Sequence, residues 1–161
     1  MAVKVEAVDY HNPVHAHALI EMLDHYAQDP MGGGEALPES TKAVLIKEMA
    51  ARDTVFSFLA WNEEGQAVGL VNCVIGFSTF AAKPVCNIHD IAIRSGLRGQ
   101  GLAQKLMQAV VTEAKARGCC KLTLEVLTGN EPAKLAYKKF GFAAYQLDPA
   151  TGSAEFWEYK L

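Results

Sequence analysis

The spacing of apolar and polar residues predicts a strand and two helices at the start of the chain. Residues 3–8 alternate between apolar and charged or polar side chains, and this period of two is typical of a strand. From Pro13 the apolar residues recur with helical spacing, and Pro30 with the glycines that follow it predicts the end of this helix. A second helix is predicted over residues 39–52.

The middle of the chain carries the period-two pattern of strands. Residues 54–61 and 66–77 are apolar runs joined by a short polar turn that contains glycine, which predicts a β-hairpin. Residues 85–93 and 121–127 predict two further strands, with helical spacing of the apolar residues between them. This region therefore predicts three strands, a helix and a fourth strand.

The end of the chain predicts a short helix followed by two strands. The helix is predicted over residues 131–139, with Asn130 as its N-cap and a proline in its first turn. The strands are predicted at residues 143–147 and 154–161. The element order βααβββαβαββ predicts an α/β (α+β) fold, a mixed and mostly antiparallel sheet of six to seven strands with helices on both faces. One domain over residues 1–161 is expected.

Composition and charge exclude two classes of partner. The chain has 161 residues, of which 50% are hydrophobic and 20% charged, as in an ordinary globular domain. Its formal net charge of -3 provides no basic surface for nucleic acid. The apolar runs are shorter than the roughly 20 residues of a membrane span, and the amino terminus lacks the pattern of a signal peptide. We expect a cytoplasmic protein that binds neither nucleic acid nor membranes.

The cysteines and histidines do not form a recognisable metal-binding pattern. The four cysteines have no Cys-x-x-Cys spacing, and Cys73, Cys86 and Cys120 lie in apolar runs. The histidines of the first helix region have no companion thiolate or carboxylate pattern. We therefore predict packing roles for the cysteines, a solvated face for His11, His15 and His17, and no metal site.

The sequence LRGQGLAQKL places Gly99 and Gly101 directly before a predicted helix. Glycine near a helix start costs about 0.5 to 1 kcal/mol relative to alanine, so two glycines need another reason. The amides of a first helical turn bind phosphate oxygens, and glycine allows a diphosphate to approach the backbone closely. Arg98 is placed to add charge-assisted hydrogen bonds. The pattern favours an anion-binding loop, with a ligand-free tight turn as the alternative.

A dinucleotide-binding oxidoreductase is an alternative for the same glycines. Its fingerprint requires a third glycine where this chain has Gln104. Glu125 lies at the distance expected of the ribose-binding acid, but no second mononucleotide-binding half follows in the sequence.

Two motifs together resemble those of one large enzyme family. Residues 98–103, RGQGLA, resemble the Gln/Arg-x-x-Gly-x-Gly/Ala signature of the GNAT superfamily of acetyl-CoA-dependent N-acetyltransferases. Residues 130–137, NEPAKLAY, followed by FGF at 140–142, resemble the second hallmark of that superfamily. The predicted element order is also similar to the family's order. Residues 76–93 look most like the branch of diamine and thialysine acetyltransferases.

The resemblance implies a site for acetyl-CoA as co-substrate. Pantetheine would run beside the strand that ends at Ile91, Ala92 and Ile93. The diphosphate would bind the loop and helix start formed by Arg98, Gly99, Gln100, Gly101, Leu102, Ala103 and Gln104. The groove would be completed by Asn130, Glu131, Pro132 and Ala133.

The resemblance also implies catalytic roles. Tyr137 occupies the position of the general acid that protonates the coenzyme A sulfur, and packing of the short helix is its alternative role. His89 stands where the branch commonly has glutamate, and an imidazole suits proton removal near neutral pH. Strand alternation predicts that His89 and Asp90 point to opposite faces. The general base is one of His89, Asp90, Glu125 or a water molecule, and the sequence leaves this choice open. A bulge or splayed strand edge near Ile91 is expected to leave a backbone amide free to donate a hydrogen bond to the thioester carbonyl.

The residues predicted to line the acceptor pocket suggest that the substrate is a cationic amine. Residues from the segments that line the acceptor pocket in relatives are Tyr26, Met31, Glu35, Phe77, Phe80 and Glu125. Aromatic and acidic side chains suit such a ligand. We expect direct acetyl transfer to the primary amine of a small molecule in a ternary complex, by a homodimer. A non-catalytic acyl-CoA-binding sensor is the alternative from another functional class.

Overall fold

The computed structural model describes residues 2–145 and 147–161, which divide into two compact units. The first unit ends at Leu127 and the second spans Thr128–Leu161. The first contains β1 (Lys4–Ala7), α1 (Pro13–Gln28), α2 (Glu39–Ala50), β2 (Val55–Trp61), β3 (Ala67–Ser78), β4 (Lys83–Ile93), α3 (Leu102–Ala116) and β5 (Leu122–Leu124). The second contains α4 (Glu131–Phe140). The expectation of one domain stays a prediction.

The sheet is mixed and mostly antiparallel, as predicted. Within the described residues it has five strands in the order β1-β2-β3-β4-β5. The first three pairings are antiparallel, and β4 pairs with β5 in parallel. A parallel pair needs a crossover connection, and α3 provides it. This sheet differs from the all-parallel sheet of the dinucleotide-binding fold.

The two strands predicted at residues 143–147 and 154–161 are not found in the described part of the chain, so the prediction of six to seven strands is corrected to five. Gln146 lies outside the described residues. The rest of these segments is irregular, and Pro149–Thr151, which lies between them, forms a short 3₁₀ turn. The alternation of apolar residues satisfied the local strand pattern, but a strand also needs a partner edge, which a local pattern does not specify.

Helices cover both faces of the sheet, which confirms that part of the fold prediction. The core beneath α1 and α2 includes Leu19, Met22, Met49, Leu59, Leu70 and Ala92. Gly69 faces the other way, because neighbouring residues of a strand alternate. A Cβ on Gly69 would lie 3.0 Å from Leu106 of α3, so α3 covers the opposite face. None of the helices in the described ranges is long and apolar enough to cross a membrane.

Asp24 of α1 fixes the loop that joins α1 to α2. Its Oδ1 accepts a hydrogen bond of 2.8 Å from the Leu37 amide, and its Oδ2 accepts one of 3.0 Å from Nζ of Lys42. The Lys42 ammonium, and then the Leu37 amide, hold the pKa of Asp24 below its usual value. The carboxylate therefore stabilises the fold in its ionised form.

Asp24→Asn is expected to lower the free energy of unfolding by about 1 kcal/mol at neutral pH. A folded-state pKa below the unfolded one means that the stabilisation is complete above the unfolded pKa, about 3.9 for aspartate, and is lost as the pH falls through the folded value. Denaturant titrations of both proteins at neutral pH and near pH 3 check this. An equal difference at both pH values would contradict it. Glu48→Gln, which removes the exposed ion pair with Arg52, is the control and should change stability little.

Candidate functional site

A β-bulge interrupts the pairing of β3 with β4 at His89. Asn72 pairs with Asp90 and Cys73 pairs with Ile88, so His89 has no partner on β3. Bulges re-aim side chains and are common next to active sites. This bulge lies two residues before Ile91, near which the sequence analysis expected an irregular strand edge.

The bulge brings His89 and Asp90 to the same face of the sheet. Nδ1 of His89 lies 3.0 Å from Oδ1 of Asn87, and Asn87 pairs with Val74. Asp90 accepts a hydrogen bond from Asn72, which points to the same face of β3 as Val74. The prediction of opposite faces is therefore wrong, because the extra residue of a bulge shifts the alternation by one position.

β4 and β5 separate immediately before the bulge. β5 pairs only with Cys86, Asn87 and Ile88 of β4. From His89 to Ile93, no strand in the described parts of the chain pairs with the outer edge of β4. Such an edge presents backbone N–H and C=O groups to a ligand. Ile91, Ala92 and Ile93, the residues predicted beside pantetheine, lie along this stretch, with Ala92 buried.

The glycine-rich loop after β4 requires glycine at two positions and leaves open space beside them. Gly99 and Gly101 have φ values of +81° and +80°, a left-handed conformation that favours glycine. A Cβ at either position would meet no other atom within 4 Å. The first intrahelical hydrogen bond of α3 joins the Lys105 amide to the Gly101 carbonyl. The Leu102 and Ala103 amides precede this bond, so they have no carbonyl partner within the helix.

The start of α3 lacks the side-chain cap that α1 and α4 have. Asn12 accepts backbone hydrogen bonds at the start of α1 and Asn130 does so at α4, whereas Gly101 offers no side chain to α3. An uncapped helix start keeps its amide donors and its positive dipole end available for an anion. The loop and the first turn of α3 therefore fit the diphosphate of acetyl-CoA.

Arg98 of this loop forms an ion pair with Asp29. Its Nη2 lies 2.9 Å from Oδ2 of Asp29, whose Oδ1 accepts a hydrogen bond of 2.9 Å from the Met31 amide. The Met31 amide, and then the Arg98 guanidinium, lower the pKa of Asp29. The Arg98 side chain is 62% exposed, so its other N–H groups remain accessible to a phosphate. The neighbouring Gln100 is also exposed.

Tyr26 and two aspartates form an acidic site on the face covered by α1. Burial raises the pKa of the half-buried Tyr26 phenol, and the nearby negative charges of Asp90 and Asp29 add to this shift. Met31 lies in the short 3₁₀ turn that follows Asp29 and is 41% exposed. Of the predicted acceptor residues, Tyr26 and Met31 therefore lie close to carboxylates.

A separate open cleft lies at the hairpin between β3 and β4. It is lined by Gly76, Phe77, Ser78, Thr79, Phe80, Val85, Asn87, Lys121 and Thr123. Nδ2 of Asn87 donates a hydrogen bond of 3.1 Å to Oγ1 of Thr123, and Oδ1 of Asn87 contacts His89. Asn87 therefore connects the cleft to the bulge. Glu35 and Glu125 are exposed and are not among the described residues that line this cleft.

The second unit holds the remaining predicted residues on and around α4. Asn130 caps α4 by accepting a hydrogen bond of 3.3 Å from the Ala133 amide, with Glu131 and Pro132 in the first turn. The Tyr137 ring packs edge-on against Phe142, with ring centroids 6.0 Å apart. The cofactor and catalytic roles of these residues stay predictions.

The sequence analysis missed three polar residues that bear on Asp90. Ser57 and Asn72 are buried polar side chains within apolar strands, and Tyr10 contacts Ser57. The available signal was a single polar residue on an inward-facing position of the runs VFSFLAW and QAVGLVNCVIGF.

Comparisons with known proteins agree with this geometry. The model of the Acetyltransferase (GNAT) family matches residues 17–142. Streptothricin acetyltransferase from Streptomyces lavendulae is 34% identical over 107 residues, which is 65% of this chain and 54% of that protein. Thialysine N-epsilon-acetyltransferase from Bos taurus is 33% identical over 87 residues, covering 50% of this chain and 49% of that protein. The chain thus spans about half the length of these relatives.

A solved structure extends the likeness to almost the whole chain. An aminoglycoside acetyltransferase from an uncultured soil metagenomic sample, in complex with sisomicin, aligns with a TM-score of 0.79. The alignment covers 99% of this chain and 96% of that one, at 16% identity, so it shows a shared fold. The family model covers most of the sequence, including the glycine loop and α4. The chain therefore belongs to the acetyltransferase (GNAT) family.

Proposed function

We propose that this protein is an acetyl-CoA-dependent N-acetyltransferase that acts on the primary amine of a small molecule by direct transfer in a ternary complex. The observation that carries the proposal is the uncapped start of α3 behind Gly99 and Gly101, which follows the open edge of β4. A diphosphate site next to an unpaired strand edge suits a ligand with an anionic head and an amide-containing arm.

The cofactor arrangement follows from these two features. The loop from Arg98 to Gln104 binds the diphosphate, and Ile91 to Ile93 run beside pantetheine. The resemblance supports Asn130 to Ala133 as the residues that complete the groove. Acetyl-CoA supplies the activated acetyl group, and the chain supplies its orientation and the proton transfers.

His89 has the hydrogen-bonding arrangement of a general base. Nδ2 of Asn87 donates to the backbone carbonyl and hydroxyl oxygens of Thr123, so Oδ1 of Asn87 faces His89. An amide oxygen only accepts, so Nδ1 of His89 carries the hydrogen and Nε2 of the neutral ring is the acceptor. The exposed His89 takes the proton of the acceptor ammonium at Nε2.

Tyr137 supplies the second proton transfer in this proposal. The neutral amine attacks the thioester carbonyl, the C–S bond breaks, and the phenol of Tyr137 protonates the departing sulfur. The new amide nitrogen releases its extra proton, which restores the phenol. The family position of Tyr137 within NEPAKLAY supports this role.

The acceptor proposed here is a small cationic amine, with diamines and thialysine-like amines as the first candidates. Asp29, Asp90 and Tyr26 provide negative charge and an aromatic ring on the same face as His89. The streptothricin and thialysine acetyltransferases are named for different acceptors. Similarity to both therefore supports an amine acceptor in general more strongly than any one amine. The homodimer and the cytoplasmic location stay predictions.

The test measures release of the coenzyme A thiol from acetyl-CoA against a panel of acceptors. The panel contains polyamines, lysine analogues, free amino acids, aminoglycosides and amino-terminal peptides. Turnover with diamines or lysine-like amines is expected. Turnover with peptides alone would contradict the small-molecule proposal, and binding of acetyl-CoA without turnover of any acceptor would favour the sensor.

His89→Gln is expected to lower kcat by about 10²-fold at neutral pH, because the ammonium then loses its proton only to water. The deficit should shrink at high pH, where the free amine is already neutral. Initial rates over a pH series check this, with His17→Gln, an exposed histidine of α1, as the control. Equal rates for His89→Gln and His17→Gln would show that His89 is not the general base.

A further inference from the structure

A row of hydrogen-bonded side chains crosses the sheet and ends at Asp90. Ser57, Asn72 and Asp90 are paired positions on β2, β3 and β4. Oγ of Ser57 donates to Oδ1 of Asn72 at 2.6 Å, and Nδ2 of Asn72 donates to Oδ2 of Asp90 at 3.1 Å. The hydroxyl of Tyr10 lies 2.8 Å from Oγ of Ser57. These four residues are called the polar row below.

The middle of the polar row is buried in an apolar layer. Ser57 and Asn72 are 2% and 5% exposed, and Leu59 and Leu70, on the same sheet face, belong to the core under α1 and α2. Buried polar groups are costly unless they are hydrogen-bonded, and apolar residues would fill these positions without that requirement. Packing alone therefore gives no reason for Ser57 and Asn72.

The donors of the polar row all point toward Asp90. Because Nδ2 of Asn72 faces the carboxylate, its Oδ1 must face Ser57 and accept the single hydroxyl hydrogen of that residue. Tyr10 must then donate to Ser57, since the Ser57 hydrogen is already used. The chain of donors fixes the amide of Asn72, and this amide holds one oxygen of Asp90. The other carboxylate oxygen takes no part in the row.

The carboxylate of Asp90 belongs to the acidic site and has no cation of its own. Its charge acts on Tyr26, and it lies on the same face as His89. The neighbouring Asp29 is paired with Arg98, whereas no ion pair among the described residues involves Asp90. A half-buried carboxylate held by a neutral amide is suited to binding an external cation.

We infer that Asp90 binds a cationic amine group of the acceptor, and that Tyr10, Ser57 and Asn72 are positioning residues that act through it. The inference rests on the proposed amine acetylation. It assigns acceptor affinity to a network that begins outside the acceptor pocket, at a tyrosine before α1.

The test compares the KM of the best amine of the panel with the KM of acetyl-CoA. Asn72→Leu keeps the side-chain size and removes the donor, and should raise the acceptor KM by about tenfold while the KM of acetyl-CoA is unchanged. Ser57→Ala and Tyr10→Phe should raise it by smaller factors in that order, and Ser57→Thr, which keeps the hydroxyl, should restore the parent value. If Asn72→Leu fails to fold, the Tyr10 and Ser57 variants carry the test.

A double-mutant cycle separates positioning from general destabilisation. Asp90→Ala should raise the acceptor KM more than Asn72→Leu does, and adding Asn72→Leu to Asp90→Ala should change it no further. Additive effects, or equal changes in both KM values, would overturn the inference and leave the proposed function standing. Lack of turnover of every amine by the parent protein would overturn both.

Discussion

Tyr137→Phe is expected to lower kcat by about 10²- to 10⁴-fold, because the phenol that protonates the departing sulfur is lost. The ring and its edge-on contact with Phe142 are retained, so the fold and coenzyme A affinity should be unchanged. Steady-state rates and calorimetric titration with coenzyme A measure the two quantities separately. Tyr159→Phe, which removes an exposed phenol from the same unit, is the matched control.

Two outcomes would contradict the role of Tyr137. Parent-like turnover of Tyr137→Phe would exclude the phenol as the proton donor. A parallel loss of turnover and coenzyme A affinity would indicate that the hydroxyl supports the binding groove instead of the proton transfer.

Gly101→Ala is expected to weaken coenzyme A binding by about 100-fold. The added methyl occupies the open space against which the diphosphate lies, and it prevents charge-assisted hydrogen bonds from the first turn of α3. The KM of acetyl-CoA should rise by a similar factor. Titration with coenzyme A provides the direct measurement.

Gly118→Ala is the matched control for this change. Gly118 follows the other end of α3 with φ +79°, nearly the same as φ +80° at Gly101, and a Cβ there also meets open space. Both variants should lose about 1 kcal/mol of stability from the left-handed conformation, but only Gly101→Ala should lose affinity. Equal coenzyme A affinities of the two variants would show that the diphosphate does not bind at this loop.

Local chemistry explains which elements the sequence predicts well. Pro13 opens α1 and Gly101 and Gly118 flank α3, so these helix ends need no tertiary information. The strands from residue 55 to residue 93 agree with their apolar runs to within a few residues. β5 is shorter than predicted, mainly because its pairing with β4 ends at Leu124, whereas the Lys121 carbonyl still accepts a hydrogen bond from the Cys86 amide.

The bulge at His89 is visible in the spacing of apolar residues in the sequence of β4, although a strict period of two does not allow for it. Apolar residues of β4 that point toward α3 include Cys86, Ile88, Ile91 and Ile93. The step from Ile88 to Ile91 is three residues instead of two, which is the spacing that one inserted residue produces. The position of the bulge was therefore readable, and with it the shared face of His89 and Asp90.

The polar row depends on information that no local pattern contains. Ser57, Asn72 and Asp90 contact one another only because three strands pair in one particular register. A shift of one residue in either pairing would place Asn72 opposite a different side chain. Sequence inspection finds each polar residue singly, and the register makes them a network.

The ion pair of Arg98 with Asp29 joins the glycine-rich loop to the loop that follows α1. Asp29, which holds Arg98, also caps the turn that carries Met31, so a phosphate that draws on Arg98 competes with the anchor of the acceptor-side loop. Such linkage is reciprocal, and whatever stabilises one loop changes the affinity of the other for its ligand. In the proposed enzyme, the two substrates then do not bind independently, and each changes the affinity for the other by the same factor.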